Sequence, residues 1–234
     1  METAMPETTG TLPPTGTDAY PQTGRTVPTR SRDRASYDRG TVHAILDEGY
    51  LCHLGFVRDG APVVLPTLYT RIGEALYVHG STGSRPLRMA GEPDPGLAVC
   101  LTVTHVDGLV LARSAFHHSV NYRSVVVHGT AYQVTDPQEK RTALDALVDQ
   151  VVAGRSADSR PADARELAAT AVLRLDLAEV SAKSRAGGPN DDAEDLALPH
   201  WAGVLPVSRT HGEPVPSADL DAAIALPPYL AARA

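Results

Sequence analysis

Long apolar runs are missing from this sequence. None approaches the roughly 20 residues that a membrane-spanning helix needs, and the N-terminus has no apolar core of the kind that directs secretion. The expectation is a cytoplasmic protein with no membrane partner. Positive charge is also short: 21 Lys and Arg stand against 28 Asp and Glu, a net charge of −7. That balance argues against a nucleic-acid partner, so any anionic ligand must be caught by a local cluster of donors. Only two cysteines occur, Cys52 and Cys100, far apart within apolar strand-like runs, and they read as buried reduced thiols. Aromatics make up 5%, with one tryptophan, Trp201. No nucleophile elbow, Walker loop, dinucleotide fingerprint, paired-carboxylate motif or ligand-spaced metal cluster is present, which leaves hydrolase, kinase and metal-centre readings without residues.

What is present is a globular composition, 42% hydrophobic over 234 residues. Residues 1–35, rich in Thr, Pro, Gly and Arg, read as a disordered N-terminal tail. Asp38 can cap a helix with Val42, Ile45 and Leu46 on one face, stopped by Gly49. Strands then follow at Tyr50–Arg58 and Pro62–Arg71 around an Asp59-Gly60 turn, and at Ala75–His79 after Gly73. Another pair, Leu97–His105 and Leu109–Ser114, is expected around Asp107-Gly108, followed by a long strand over Asn121–Val134. Asp136-Pro137-Gln138-Glu139 reads as a helix start, with Leu144, Leu147, Val148 and Val151 as its apolar stripe. A second helix is expected over Ala162–Thr170, then strands at Ala171–Leu177, Val180–Arg185 and Trp201–Val207. Residues 36–210 thus form one domain that is mainly β with peripheral helices. Residues 211–234 form a Pro-rich C-terminal extension packing on its surface. Many short strands joined by tight turns indicate an antiparallel barrel or sandwich.

Three segments concentrate chemistry. His79-Gly80-Ser81-Thr82-Gly83-Ser84-Arg85 follows a strand and opens a short helix. Free backbone N–H groups there favour an anion, and Arg85 adds a forked charge-assisted donor; the alternative is an ordinary strand-to-helix turn. Arg113 to Ser124 packs many polar groups between two apolar strands. Its adjacent His117 and His118 point to opposite faces of a strand, which disfavours one shared metal ion. Lys183 and Arg185 alternate on one strand face and could meet an anion or simply line a solvated edge.

Together, Tyr37-Asp38-Arg39, His43 through Gly49, Pro66-Thr67-Leu68-Tyr69, His79-Gly80-Ser81, Ser84-Arg85 and Asn121-Tyr122-Arg123-Ser124 resemble the pyridoxamine 5′-phosphate oxidase-like superfamily. The resemblance is strongest to its flavin-nucleotide-binding branch related to nitroimidazole-resistance proteins, and covers about Arg34 to Val207. It implies an antiparallel split β-barrel, an FMN-binding homodimer with FMN at the subunit interface and each site built from both copies. By position, Pro66, Thr67, Leu68 and Tyr69 would line the flavin ring with backbone groups. His79, Gly80, Ser84 and Arg85 would hold the ribityl-phosphate side. Asn121, Arg123 and Ser124 would approach from a neighbouring strand, and Lys183, Arg185 and Trp201 would close the site. His118 is the candidate acid or base. Authentic pyridoxamine phosphate oxidases place a basic residue where Thr67 stands, and their C-terminal substrate signature is missing here. The comparison therefore supports FMN binding without supporting that substrate.

Affinity arithmetic favours a shared cleft. Micromolar binding needs about 8 kcal/mol, whereas a charge-assisted bond nets only about 1.5–3 kcal/mol, so ring burial must supply much of the rest. The implied function is an FMN-dependent oxidoreductase. Alternatives are a non-catalytic protein that sequesters flavin nucleotide, or a haem or deazaflavin relative on the same barrel.

Overall fold

A computed structural model describes residues 18–84, 90 and 96–232. The first helix, α1 (Arg39–Glu48), begins where Asp38 accepts a 2.7 Å hydrogen bond from the Thr41 N–H, the expected cap. It ends at Gly49 for reasons of space rather than handedness. The backbone there is extended, and a Cβ would fall 2.7 Å from the Tyr69 hydroxyl.

Nine strands follow the alternating pattern: β1 (Ala35–Ser36), β2 (Leu51–Arg58), β3 (Ala61–Ile72), β4 (Ala75–Ser81), β5 (Leu97–Leu111), β6 (Ser119–Gln133), β7 (Thr170–Asp176), β8 (Glu179–Arg185) and β9 (Gly203–Pro206). All their pairings are antiparallel, and six strands close on themselves in the order β5-β2-β3-β4-β7-β6. β8 and then β1 extend one flank from β6, while β9 extends the other from β5. This is the expected split barrel. Asp59 and Gly60, both at positive φ, make the β2–β3 turn, as a tight hairpin requires.

The inward rows of the ring form one core, including Cys52, Leu54, Leu76, Leu101, Val125, Val127, Leu173 and Val180, with Val42, Ile45 and Leu46 of α1 entering from one side. A second cluster lies outside the ring. There α2 (Pro137–Val151) lays Ala143 and Leu144 over Ala75, Tyr77 and Val172. A capping box between Asp163 and Glu166 starts the short α3 (Ala164–Ala169), and α4 (Pro228–Ala231) ends the described chain.

Two expectations are corrected. Asp107-Gly108 is no hairpin turn. β5 runs through it as one strand, with Asp107 as the extra residue of a bulge between Val106 and Gly108. Glycine is needed there because β9 comes close: a Cβ would lie 2.9 Å from Val204 Cγ1. Residues 18–35, read as tail, lie against the barrel. Tyr20 is buried, its hydroxyl 2.9 Å from both His43 and Glu74, with the Arg39 guanidinium 4.3 Å from its ring. The C-terminal extension is largely exposed and is tied down at Tyr229, whose hydroxyl donates to Asp158 at 2.6 Å. Among the described residues no helix is long and apolar enough to cross a membrane. Both cysteines are free. Burial pushes the Cys52 thiol up to about 12, while Cys100 is half-buried.

Candidate functional site

β3 pairs with β4 only over Tyr69–Ile72, although β4 continues to Ser81. Residues 61–68 of β3 are left with β2 alone on their other side. The two strands part at Leu68, and a wedge opens between them. Leu65, Pro66, Thr67, Val78, His79, Gly80, Ser81 and Ser84 border a cavity of about 190 Å³, with Leu54 and Leu173 at its floor. Five of the expected site residues meet here: Pro66, Thr67, His79, Gly80 and Ser84. Arg85 lies outside the described residues. Leu54, Leu65 and Leu173 had no sequence signal beyond strand alternation, because only ring closure turns their row towards the opening.

The loop after β4 differs from expectation in its donors. The Thr82 N–H reaches Ala169 O (3.0 Å), Gly83 N–H reaches Ser81 Oγ (3.2 Å), and Ser84 N–H reaches Ser81 O (2.8 Å). These backbone groups are consumed by the fold, which leaves the Ser84 hydroxyl as the loop's polar contribution to the wedge.

Tyr69, expected to offer its backbone to the ring, has its side chain in the core. Its side chain is fully buried, the hydroxyl donates to Leu46 O at 2.6 Å, and its N–H is held by Tyr50 O. Burial raises its phenol far above the ordinary range. Leu68, on the opposite face, points away from the core. With His79 it lines a second, apolar groove of about 420 Å³ against the α2 residues Leu144, Leu147, Val148 and Val151. His79 Nδ1 is buried without a hydrogen-bond partner, and burial draws the imidazole below its ordinary range.

The remaining expected residues sit on β6, β8 and the neighbouring loops. Arg185 is buried and donates to Asn121 Oδ1, to Gly187 O (3.2 Å) and to Gly188 O (2.8 Å). It borders a polar pocket of about 340 Å³ with Arg34 and Ser184. Ser124 Oγ donates to Lys183 O, and the Lys183 ammonium to Arg30 O at 3.3 Å. His118 is exposed on the β5–β6 connection, its Nδ1 3.0 Å from Ser114 O. Trp201 is 68% exposed and covers Gly203.

Arg123 is corrected to a structural ion-pair centre. Its guanidinium grips Asp107 (2.9 and 2.8 Å) and both oxygens of Glu48. The hydrogen bonds from Arg123 hold both carboxyls below the usual carboxylate range. Groups with depressed folded values contribute stability above their unfolded pKa, about 4, and lose it as pH falls through the folded value. Wild type is therefore expected to lose thermal stability more steeply than Arg123→Ala between about pH 5 and pH 2, as read from melting temperatures at each pH.

The Pro66 and Lys183 rows share the outer sheet face but lie far apart. Pro66 pairs with His53, His53 with Thr102, Thr102 with Val126 and Val126 with Ser181. These are four ladder steps around a closed ring, so the two rows face different directions. The same face exposes Leu51, Val57 and Val64.

The sequence profile of the pyridoxamine 5′-phosphate oxidase family matches residues 38–184. The chain belongs to this family. Its members are flavin-binding split-barrel proteins, and two solved structures are similar over nearly the whole molecule. The flavocytochrome Anf3 from Azotobacter vinelandii is 38% identical, with a TM-score of 0.83 over 91% of this chain and 97% of that one. An FAD- and haem-binding protein from Mycobacterium smegmatis is 39% identical, with a TM-score of 0.80 over 86% and 97%. A putative 5-nitroimidazole antibiotic resistance protein from Bacteroides thetaiotaomicron shares the fold at 20% identity, with a TM-score of 0.51 over 64% and 85%. No match was found among curated proteins.

Proposed function

We propose that the protein is a flavin-dependent redox protein whose ring sits in the β3–β4 wedge at the junction of two copies. The observation that carries this is the unpaired β3 edge at residues 65–68, facing Ser84 across an apolar-floored cleft. The residues present fit a flavin: an open strand edge offers backbone donors and acceptors to a heterocycle, and Leu54, Leu65 and Leu173 offer apolar contact. When bound, the flavin supplies electron and hydride transfer. The chain binds and orients it, with the β3 backbone along the ring and Ser84 and Arg85 towards the phosphate. The second copy brings Ser124, Lys183 and Arg185, which in a single copy stand elsewhere around the ring, and its apolar outer face excludes water.

FMN is the nucleotide read from the sequence; the FAD of the M. smegmatis relative supports the dinucleotide. A second reading adds haem beside the flavin. It is favoured by two relatives, 38–39% identical, one a flavocytochrome and the other an FAD- and haem-binding protein. The test is an absorption spectrum with mass analysis of the groups released from purified protein. An oxidised-flavin spectrum that bleaches with NADH or NADPH is expected. No reduction across a panel of nicotinamides and acceptors would instead assign flavin storage, and a chain that takes up neither FMN nor FAD would end the flavin reading.

A further inference from the structure

Arg185 carries a charge that the fold does not neutralise. It is 9% exposed, and its guanidinium donates to Asn121 Oδ1 and to the carbonyls of Gly187 and Gly188. These acceptors satisfy its geometry but are neutral, and a positive charge taken out of water is costly to keep without a counter-charge. Among the described residues, Arg185 forms no ion pair. The sheet brings a second cation to the same place. β1 runs antiparallel to β8, with Ala35 against Lys183 and Ser36 against Ala182, so Arg34 and Asp33 arrive beside Ser184 and Arg185. A cavity of about 340 Å³ opens between them and the turn at 186–190, at the lower end of the range for small-ligand sites.

The lining decides what fits. Arg34 also forms no ion pair among the described residues, and the N–H groups of Gly187, Gly188 and Asn190 take no partner within them. The turn thus adds backbone donors around two guanidiniums, and successive free N–H groups favour an anion. Asp33 is the lining carboxylate, so two positive charges stand against one negative, in a chain whose net charge is −7. An excess of one matches a singly charged carboxylate better than a doubly charged phosphate. We infer that the pocket is the subsite for the carboxylate of the small molecule on which the flavin acts. Arg185 and Arg34 donate to that carboxylate, and Asp33 accepts a hydrogen bond from a hydroxyl or amino group beside it. This rests on the flavin reading above, in which Arg185 of one copy stands beside the ring held by the other.

The test titrates the full, flavin-loaded chain with glycolate, a carboxylate with a neighbouring hydroxyl, and separately with inorganic phosphate, at constant ionic strength. Calorimetry reads binding, and the flavin absorption band reads proximity to the ring. Wild type is expected to bind glycolate saturably, more tightly than phosphate, with a shift of the flavin band. Arg34→Gln and Arg185→Lys should each weaken glycolate at least tenfold, the loss of one charge-assisted contact, with flavin content unchanged in Arg34→Gln. Arg34 is half-buried and outside the core, so this variant decides the matter if Arg185→Lys fails to fold. Glycolate affinity equal to wild type in Arg34→Gln, or no saturable binding at all, would overturn the site while the flavin reading stands. Tighter binding of phosphate, or loss of flavin from Arg34→Gln, would assign the pocket to a phosphate instead, and the inference falls. Glycolate bound without any change in the flavin band would remove the substrate role. A chain that takes up no flavin ends the flavin reading and that role together, whereas the calorimetry still judges the anion pocket.

Discussion

Leu46→Ala is expected to destabilise the protein by about 2–5 kcal/mol, the range for deleting a buried leucine side chain. Leu46 has no exposed surface and is the residue by which α1 enters the ring core. Its surroundings are poorly able to collapse around a cavity. Its carbonyl is pinned by the Tyr69 hydroxyl and by Gln150 Nε2 of α2, so the backbone is tied to two other elements. The fully buried Val42 and Ile45 beside it are held on the same helix. Urea unfolding should show a lower midpoint with an unchanged m value. A loss below about 1 kcal/mol would mean that the site repacks freely, contrary to the rigidity these bonds imply. Trimming half-exposed Val148 to alanine is the control and should change stability little.

If two copies meet as proposed, Val64→Glu is expected to leave the protein monomeric and to lower its flavin affinity at least tenfold. Val64 is 62% exposed, on the same outer face as Leu51 and Val57. Because that surface would meet its own copy about a two-fold axis, each substitution places two carboxylates in one apolar interface. Burying an unpaired charge is strongly unfavourable. The barrel itself should be untouched, since the side chain points away from the ring core. Sedimentation and flavin titration report the two effects, and circular dichroism reports the fold. A dimeric, flavin-replete variant would remove this face from the interface. A monomer with wild-type flavin affinity would show that each subunit binds alone.

Local chemistry was legible wherever its cause was local. Asp38 and Asp136 stand before helix starts and accept hydrogen bonds from the third residue on. Asp59-Gly60 turns as such pairs do. The misreadings arise where a distant residue decides the matter. Asp107-Gly108 carries the same turn signal, yet the approach of Val204 on β9 and the pairing of Asp107 with Arg123 hold it inside one long strand. The N–H groups of residues 82–84 look free in a Gly/Ser loop, but the Thr82 amide is taken by Ala169, 87 residues onward. Arg123 reads as a ligand-binding cation until Glu48 arrives from the far end of α1. Pro66 and Thr67 stood out only through the family resemblance, although a proline on an open strand edge is consistent with their place beside the wedge. The groove was half legible: its aliphatic stripe was plain, but which part α2 would leave uncovered depends on how the ring closes.

That closure bears on how the chain folds. β2, β3 and β4 are consecutive hairpins, and β5 and β6 form another, so each can assemble from near neighbours along the chain. The ring shuts only when β7 reaches β4, joining Ala75 to Asp176, 101 positions further along the chain. Long loops are slow to bring together, and contacts between distant segments set the pace of β-rich folding. The late event is therefore the one that gives the opening beside β4 its second wall. An immature chain would hold most of its hairpins before it could retain any prosthetic group.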